Sequence, residues 1–179
     1  MDNNNYFNEG KNNNVAFVFS APGQKEEKNS KPISGQTGEN LETILSILKK
    51  NGIKEFLSYE NRYDFRITNS FTDILFLSKN NRTEATIKEI RKPQNIKRLK
   101  NELKDISKYI FFFGLKPQAI AYLLSDLNAR FIFSPHLGFQ SINQIECDVN
   151  GNLLIPKDNQ NTEKRLQVVA NYILKQIKS

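Results

Sequence analysis

Four polar side chains in this chain are of the types that handle protons and planar ligands: the single histidine His136, the amide of Asn69, and the adjacent carboxylates Glu26 and Glu27. A neutral imidazole both donates and accepts a hydrogen bond, and it changes charge near neutral pH. An amide presents a donor and an acceptor side by side, suited to pairing with the edge of a flat ring. A carboxylate takes up a proton or holds a water, so the set contains the parts of general acid–base chemistry. Each group also has a structural alternative. His136 could cap a turn or pair in the core, Asn69 could bond its own backbone in a turn, and the two glutamates could form a solvated loop pair with Lys25 and Lys28.

The elements that must position these groups are legible from apolar runs and punctuation. Val15 to Ser20 (VAFVFS) reads as a buried strand that stops at Ala21-Pro22-Gly23, where proline fixes φ and glycine allows a sharp exit from a sheet. A polar loop through Glu26 and Glu27 follows. Gly35 and Gly38 then bracket Thr37, an expected N-cap for a helix with Leu41, Ile44, Leu45 and Leu48 on one face. Tyr63 to Asn69 has the alternation of a second strand, with Asn69 at its carboxyl end. After an irregular stretch to Arg82, Thr83 is expected to cap a short helix ending before Pro93, and Ile96, Leu99, Leu103 and Ile106 mark another. Its other faces carry Lys97, Arg98, Lys100 and Lys104, a pattern that more often marks a solvated face than a nucleic-acid contact.

Tyr109 to Phe113 (YIFFF) is a continuous apolar strand ended by Gly114, Pro117 suits the first turn of the helix that follows, and Arg130 to Phe133 runs into Ser134-Pro135-His136. Asn150-Gly151 between apolar runs signals a hairpin, and Thr162 is expected to cap a last helix through Leu166, Val169, Ile173 and Ile177. Strands alternating with helices predict an α/β fold, a three-layer α/β/α sandwich around a central, mostly parallel four-stranded sheet. In such sheets ligands bind outside the carboxyl ends of the strands. The Ala21-Pro22-Gly23 loop, Asn69 and His136 all fall there.

Composition sets the surroundings. The 179 residues suffice for one domain, expected over 15–179, with the asparagine-rich residues 1–14 as a frayed leader lacking the apolar core of a signal peptide. No apolar run approaches membrane-spanning length. One cysteine, Cys147, rules out an intrachain disulfide and a four-thiolate cluster. The expectation is a cytoplasmic monomer with no metal and no cofactor. A net charge of +7 and a pI of about 9.4 favour a polyanionic partner.

Three of these segments, in chain order and spanning about Val15 to Ile145, resemble the motifs of the uracil-DNA glycosylase superfamily, most closely the branch reading GE-A/G-PG followed by GRPFVG-x-AG. Ala21-Pro22-Gly23 matches the APG, Glu26 and Glu27 match the acidic pair after it, and Ser30-Lys31-Pro32-Ile33-Ser34-Gly35 with Gly38 matches the second half. Ile67-Thr68-Asn69 is similar to the motif whose asparagine reads the uracil edge, and Pro135-His136-Leu137-Gly138 to the terminal histidine motif. The chain departs where Ser20 replaces the usual carboxylate, Ile33 replaces the aromatic that stacks on the flipped base, and Leu137-Gly138 stands where Pro-Ser is common. The cluster-binding cysteines of the iron-sulfur branch are missing.

The resemblance implies a hydrolase that flips uracil or another altered base out of single- or double-stranded DNA and cuts its N-glycosidic bond. That reaction passes through an oxocarbenium-like sugar and a departing base anion. His136 would donate to the base carbonyl, and Glu26, with Glu27 as second choice, would hold the water or face the sugar. Ala21, Pro22, Gly23, Gln24, Ile33 and Asn69 would form the base pocket. Lys31, Ser34, Thr37 and Ser141 would meet the DNA backbone. Leu137 or Phe139 would enter the vacated stack, with Gly138 giving the loop backbone freedom, unless both side chains pack in the core. Two other classes stay open: a nucleic-acid-binding module of the same fold without catalysis, and a phosphate- or nucleotide-binding α/β protein. The Ser34-Gly35-Gln36-Thr37-Gly38 turn would serve the latter, although it lacks the Lys-Ser/Thr of a P-loop.

Overall fold

A computed structural model describes residues 6–179. Its strands are β1 (Val15–Phe19), β2 (Arg66–Asn69), β3 (Tyr109–Phe113) and β4 (Arg130–Ser134). The helices among the described residues are α1 (Gln24–Asn29), α2 (Gln36–Lys50), α3 (Leu77–Asn80), α4 (Ile87–Ile90), α5 (Pro93–Leu103), α6 (Leu115–Gln118), α7 (Phe139–Ile142) and α8 (Thr162–Lys178). The four strands form one sheet in the order β2-β1-β3-β4, and every pairing is parallel. The expected α/β fold with a central parallel sheet is thus observed.

No residue of β1 is more than 2% exposed, which accounts for an apolar run without alternation: both faces are covered. On one face Phe17, Phe19, Phe111 and Phe113 pack against apolar residues of α2 and α8. On the other Ala16, Val18, Ile110 and Phe112 meet Ile90 of α4 and Leu99 and Leu103 of α5. The register sets Phe19 beside Asn69, Val18 beside Phe112 and Phe113 beside Ser134, so all four strands end at one edge. The chain leaves β1 toward β2 on one side and returns to β3 on the other. The connections therefore part between β1 and β3, where a parallel sheet opens a crevice.

Several local expectations are corrected. The loop after Gly23 is the six-residue helix α1, because the Glu26 carboxylate accepts the Gly23 N–H at 3.0 Å and supplies an N-terminal cap. Gly35, not Thr37, is the N-cap of α2, which puts Thr37 in the first turn. The second strand begins only at Arg66, since Asn61 caps a 3₁₀ turn over Arg62–Asp64. α4 is capped by Thr86 rather than Thr83: the Thr86 N–H donates to the Glu89 carboxylate at 2.8 Å, and Arg82 grips the same carboxylate. α8 has Asn161 rather than Thr162 as its N-cap. The hairpin at Asn150-Gly151 is present as one antiparallel bridge, Cys147 to Leu153.

The expected leader is also corrected where it is described; residues 1–5 lie outside the described range. Asn8 bridges Ile67 with backbone bonds of 2.9 and 2.8 Å, its side-chain amide reaches the carbonyls of Tyr63 and Phe65, and Asn13 accepts from Arg66. Amide hydrogen bonds rather than apolar burial dock this segment on the otherwise free edge of β2, so its polar composition pointed the other way. Among the described residues no helix is long and apolar enough to cross a membrane.

The start of α2 rests on a close approach. A Cβ at Gly38 would lie 1.9 Å from the carbonyl oxygen of Ile33, a backbone atom that cannot swing away. Gly38→Ala is expected to destabilise the fold by about 1–3 kcal/mol, read as a lower urea midpoint at unchanged m-value. An unchanged midpoint would show that the Ile33 turn yields.

Candidate active site

At the carboxyl edge of the sheet the chain leaves a cleft of ≈ 550 Å³. Its walls come from the segments that follow the strands: Ser20 to Gly23 after β1, Asn69 from the end of β2, and His136 with Gly138 to Ser141 after β4. Ile33 and Thr37 close it from the start of α2, and Leu75, Phe76, Thr83 and Glu84 from the stretch after β2. A second groove of ≈ 920 Å³ shares His136, Glu84 and Ser141 with the cleft, so the two form one elongated surface.

His136 is half-buried, and its geometry fixes its tautomer. The Gly138 N–H donates to Nδ1 at 2.9 Å, so Nδ1 carries the lone pair and a neutral ring holds its proton on Nε2. Burial pushes the imidazole below its usual pKa, against an opposing pull from the Glu84 carboxylate. The ring stands edge-on to Phe19, 6.4 Å between centroids, and Phe19 itself stacks on Phe113. Gly138 has φ −72, so it serves less for unusual backbone freedom than for space: a Cβ there would sit 2.8 Å from Nδ1.

Asn69 is 3% exposed and lines the cleft, and its side-chain amide has no hydrogen-bond partner among the described residues; its backbone carbonyl accepts from Arg98 at 2.8 Å. The buried Ser20 hydroxyl, also on the cleft wall, is likewise unpartnered. A buried hydroxyl without a partner costs about 1–3 kcal/mol, and beside the unpaired amide of Asn69 on the same wall it leaves the cleft with hydrogen-bonding capacity that a polar ligand could take up.

The carboxylates separate. Glu26 lines the cleft, but one of its oxygens is engaged in capping Gly23, leaving Oε1 without a hydrogen-bond partner among the described residues. Glu27 lies outside the cleft, ion-paired with Lys79 of α3, which removes it as a second candidate. Glu84, which the sequence reading did not single out, is exposed at the rim, and its charge is felt by His136.

Of the other expected site residues, Ala21, Pro22, Gly23, Ile33, Thr37, Gly138, Phe139 and Ser141 line the cleft. Four more do not. Gln24 is exposed in the first turn of α1, and exposed Lys31 lies 5.6 Å from the centroid of the Tyr63 ring. The Ser34 hydroxyl is buried without a partner outside the cleft. Leu137 is fully buried in the core under α2 and α8, so it is no wedge, whereas Phe139 is 47% exposed on the cleft wall. Phe76, Thr83 and Glu84 were missed because they sit where no periodicity distinguishes a wall residue from a loop residue; their only signal was proximity in sequence to Asn69.

The imidazole geometry gives a measurable outcome. Nitrogen-15 NMR is expected to show the Nε2–H tautomer and a pKa below the usual value of about 6.5. Because the folded state then binds fewer protons than the unfolded chain, His136 contributes stability that is present above about pH 6.5 and lost as pH falls toward its folded pKa. His136→Gln should flatten that slope between those two values; an Nδ1–H tautomer or a raised pKa would overturn the assignment.

Compared with known proteins, the chain matches no family model and no curated protein.

Proposed function

We propose that this protein is a DNA glycosylase-like hydrolase that takes a uracil or other altered base into the cleft and cuts its N-glycosidic bond. The observation that carries the reading is the convergence of a buried, unpartnered amide at Asn69 and a neutral imidazole with its proton on Nε2 at His136, both on one cleft at the sheet's carboxyl edge. An extruded base requires a donor and acceptor for its edge, and Asn69 supplies both. As the bond from C1′ to the base nitrogen breaks, its electron pair moves onto the base and negative charge builds on the carbonyl oxygen. A preplaced Nε2–H stabilises that oxygen without reorganisation. Glu26 offers its free oxygen to the water that attacks C1′, and the water's proton passes to that carboxylate. The continuity of the cleft with the second groove through His136 and Ser141 suits a polymer rather than a free base, and the net charge of +7 suits its phosphates.

Three observations favour a second reading, a nucleic-acid-binding module that extrudes a base without cutting it. Ser20 stands where the resemblance places a carboxylate, Glu27 is ion-paired away from the cleft, and Glu26 is partly committed to a cap. Incubation with uracil-containing duplex, single strands and a panel of damaged bases, followed by cleavage at abasic sites, separates the two. The expected result is excision of at least one altered base, reduced by about 10²–10⁴-fold in His136→Ala. Base-dependent binding with no excision would establish the module instead.

Phe139 and Leu137 test how a duplex is opened. Phe139→Ala is expected to lower excision from paired DNA more than from single strands, where no partner base is displaced. Leu137→Ala, which deletes core volume, should cost about 2–5 kcal/mol of stability and lower both alike. Equal losses for Phe139→Ala on the two substrates would count against insertion.

A further inference from the structure

The cleft that holds Asn69 offers a planar ligand a hydrogen-bonding edge, but an edge alone does not hold a flat ring; a face must be supplied as well. Three apolar side chains near the strand ends cannot give one. Phe19 is 2% exposed, with its ring stacked 4.9 Å from Phe113. Ile33 and Leu75 are 4% and 3% exposed, and both are aliphatic. Phe139 is an aromatic of the wall, but it begins a four-residue helix on the His136 side and is half solvent-exposed. Phe76 is different: it is half-buried, lines the cleft, and belongs to the segment held directly against the Ala21-Pro22-Gly23 turn.

We propose that Phe76 is the stacking platform for the planar base whose edge Asn69 reads. The inference rests on the base-excising reading above and adds the residue that holds the face of the ring. Its support is the bracing of Phe76. The neighbouring Leu75 N–H donates to the Pro22 carbonyl at 2.9 Å, tying the segment to the loop after β1. The Phe76 carbonyl accepts from Lys79 and Asn80 at 3.1 and 2.9 Å, and the Phe76 N–H donates to the Asn80 side chain at 3.3 Å. Lys79 pairs with Glu27 of α1 and places its ammonium 5.8 Å from the Phe76 centroid. A short helix in an otherwise irregular stretch is thus pinned from two sides, and the side chain it fixes is an aromatic on a cavity wall. Ring stacking on a fixed aromatic is tolerant of ring identity, so Phe76 adds affinity for whichever base Asn69 admits to the cleft, and an ordinary base that Asn69 turns away gains none of it.

The test uses the full chain and single-stranded oligonucleotides carrying one uncleavable 2′-fluoroarabino nucleoside of uracil, hypoxanthine or xanthine, with binding measured by fluorescence anisotropy against the same strand bearing only ordinary bases. Wild type is expected to prefer at least one altered strand. Phe76→Leu, which keeps apolar volume and therefore the fold, should lose on the order of 10- to 100-fold of that preference. Phe76→Tyr should restore it, and thermal midpoints should stay together. Full preference retained in Phe76→Leu overturns the platform while leaving the base-reading cleft intact. No preference in wild type for any altered base overturns both.

Discussion

Burial of β1 and β3 on both faces is the constraint from which the rest of the molecule follows. A strand covered on both sides runs almost wholly apolar, and β2 keeps Arg66 and Thr68 inside with hydrogen-bond partners, so the polar groups left open for chemistry stand at the strand ends. Parallel pairing then collects four such ends at one edge, and the order β2-β1-β3-β4 makes the outgoing connections diverge between β1 and β3. The cleft is a consequence of that divergence. Asn69, the last residue of β2, remains 3% exposed yet borders a cavity because its strand stops where the layers above and below part.

The energetic signature of the site is the set of hydrogen bonds it leaves unmade. Elsewhere the chain satisfies buried polar groups carefully: Arg165, fully buried, donates to the carbonyls of Ile145, Ile155 and Asp158, and Arg66 is held by Glu9, Asn13 and Glu102. The Ser20 hydroxyl, buried without a partner, and the unpaired amide of Asn69 share the cleft wall, whereas the other unpartnered buried atoms among the described residues, at Ser34, Arg62 and Asn143, lie away from it. His136 completes the contrast, since a backbone N–H satisfies Nδ1 and leaves the opposite nitrogen with its proton. Strain adds to this: Ile33, a β-branched residue, is held at φ 42 on the cleft wall, a conformation of order 1–3 kcal/mol above its ordinary basins.

Much of this was legible in the sequence, and the limits have physical causes. β1 and β3 could be read because double-sided burial writes itself as unbroken apolar runs, and YIFFF coincides with β3. Asn69 and His136 could be read because each ends or closely follows a strand-like stretch, although β2 and β4 mix polar with apolar residues. Three things could not. Caps are decided by a single hydrogen bond, so Glu26, taken as a loop carboxylate, emerged as the cap of a helix that periodicity could not show over six residues. Docking by amides hid the Asn8 segment, whose composition matches that of a solvated tail. Long-range apposition hid Phe76 and Glu84, which reach the cleft through the Leu75 bond to Pro22 rather than through any local pattern.

The carboxylate remains the feature on which a catalytic reading turns, and the geometry constrains it closely. A group that assists water must keep an oxygen free, lie on the cleft and hold still. Glu27 fails the second condition because Lys79 draws it to the outer side of α1. Glu84 meets the second but is exposed in a turn between two short helices, where solvent competes for its oxygens. Glu26 meets all three, and it does so because of the cap: the bond from Gly23 that occupies one oxygen also fixes the carboxylate's orientation. The same contact therefore ends the turn after β1, starts α1 and sets the place from which Oε1 can act. On the base-excising reading proposed above, the cap at Gly23 and the Gly138 bond each fix their group's orientation in advance, which is the preorganisation that such a step requires.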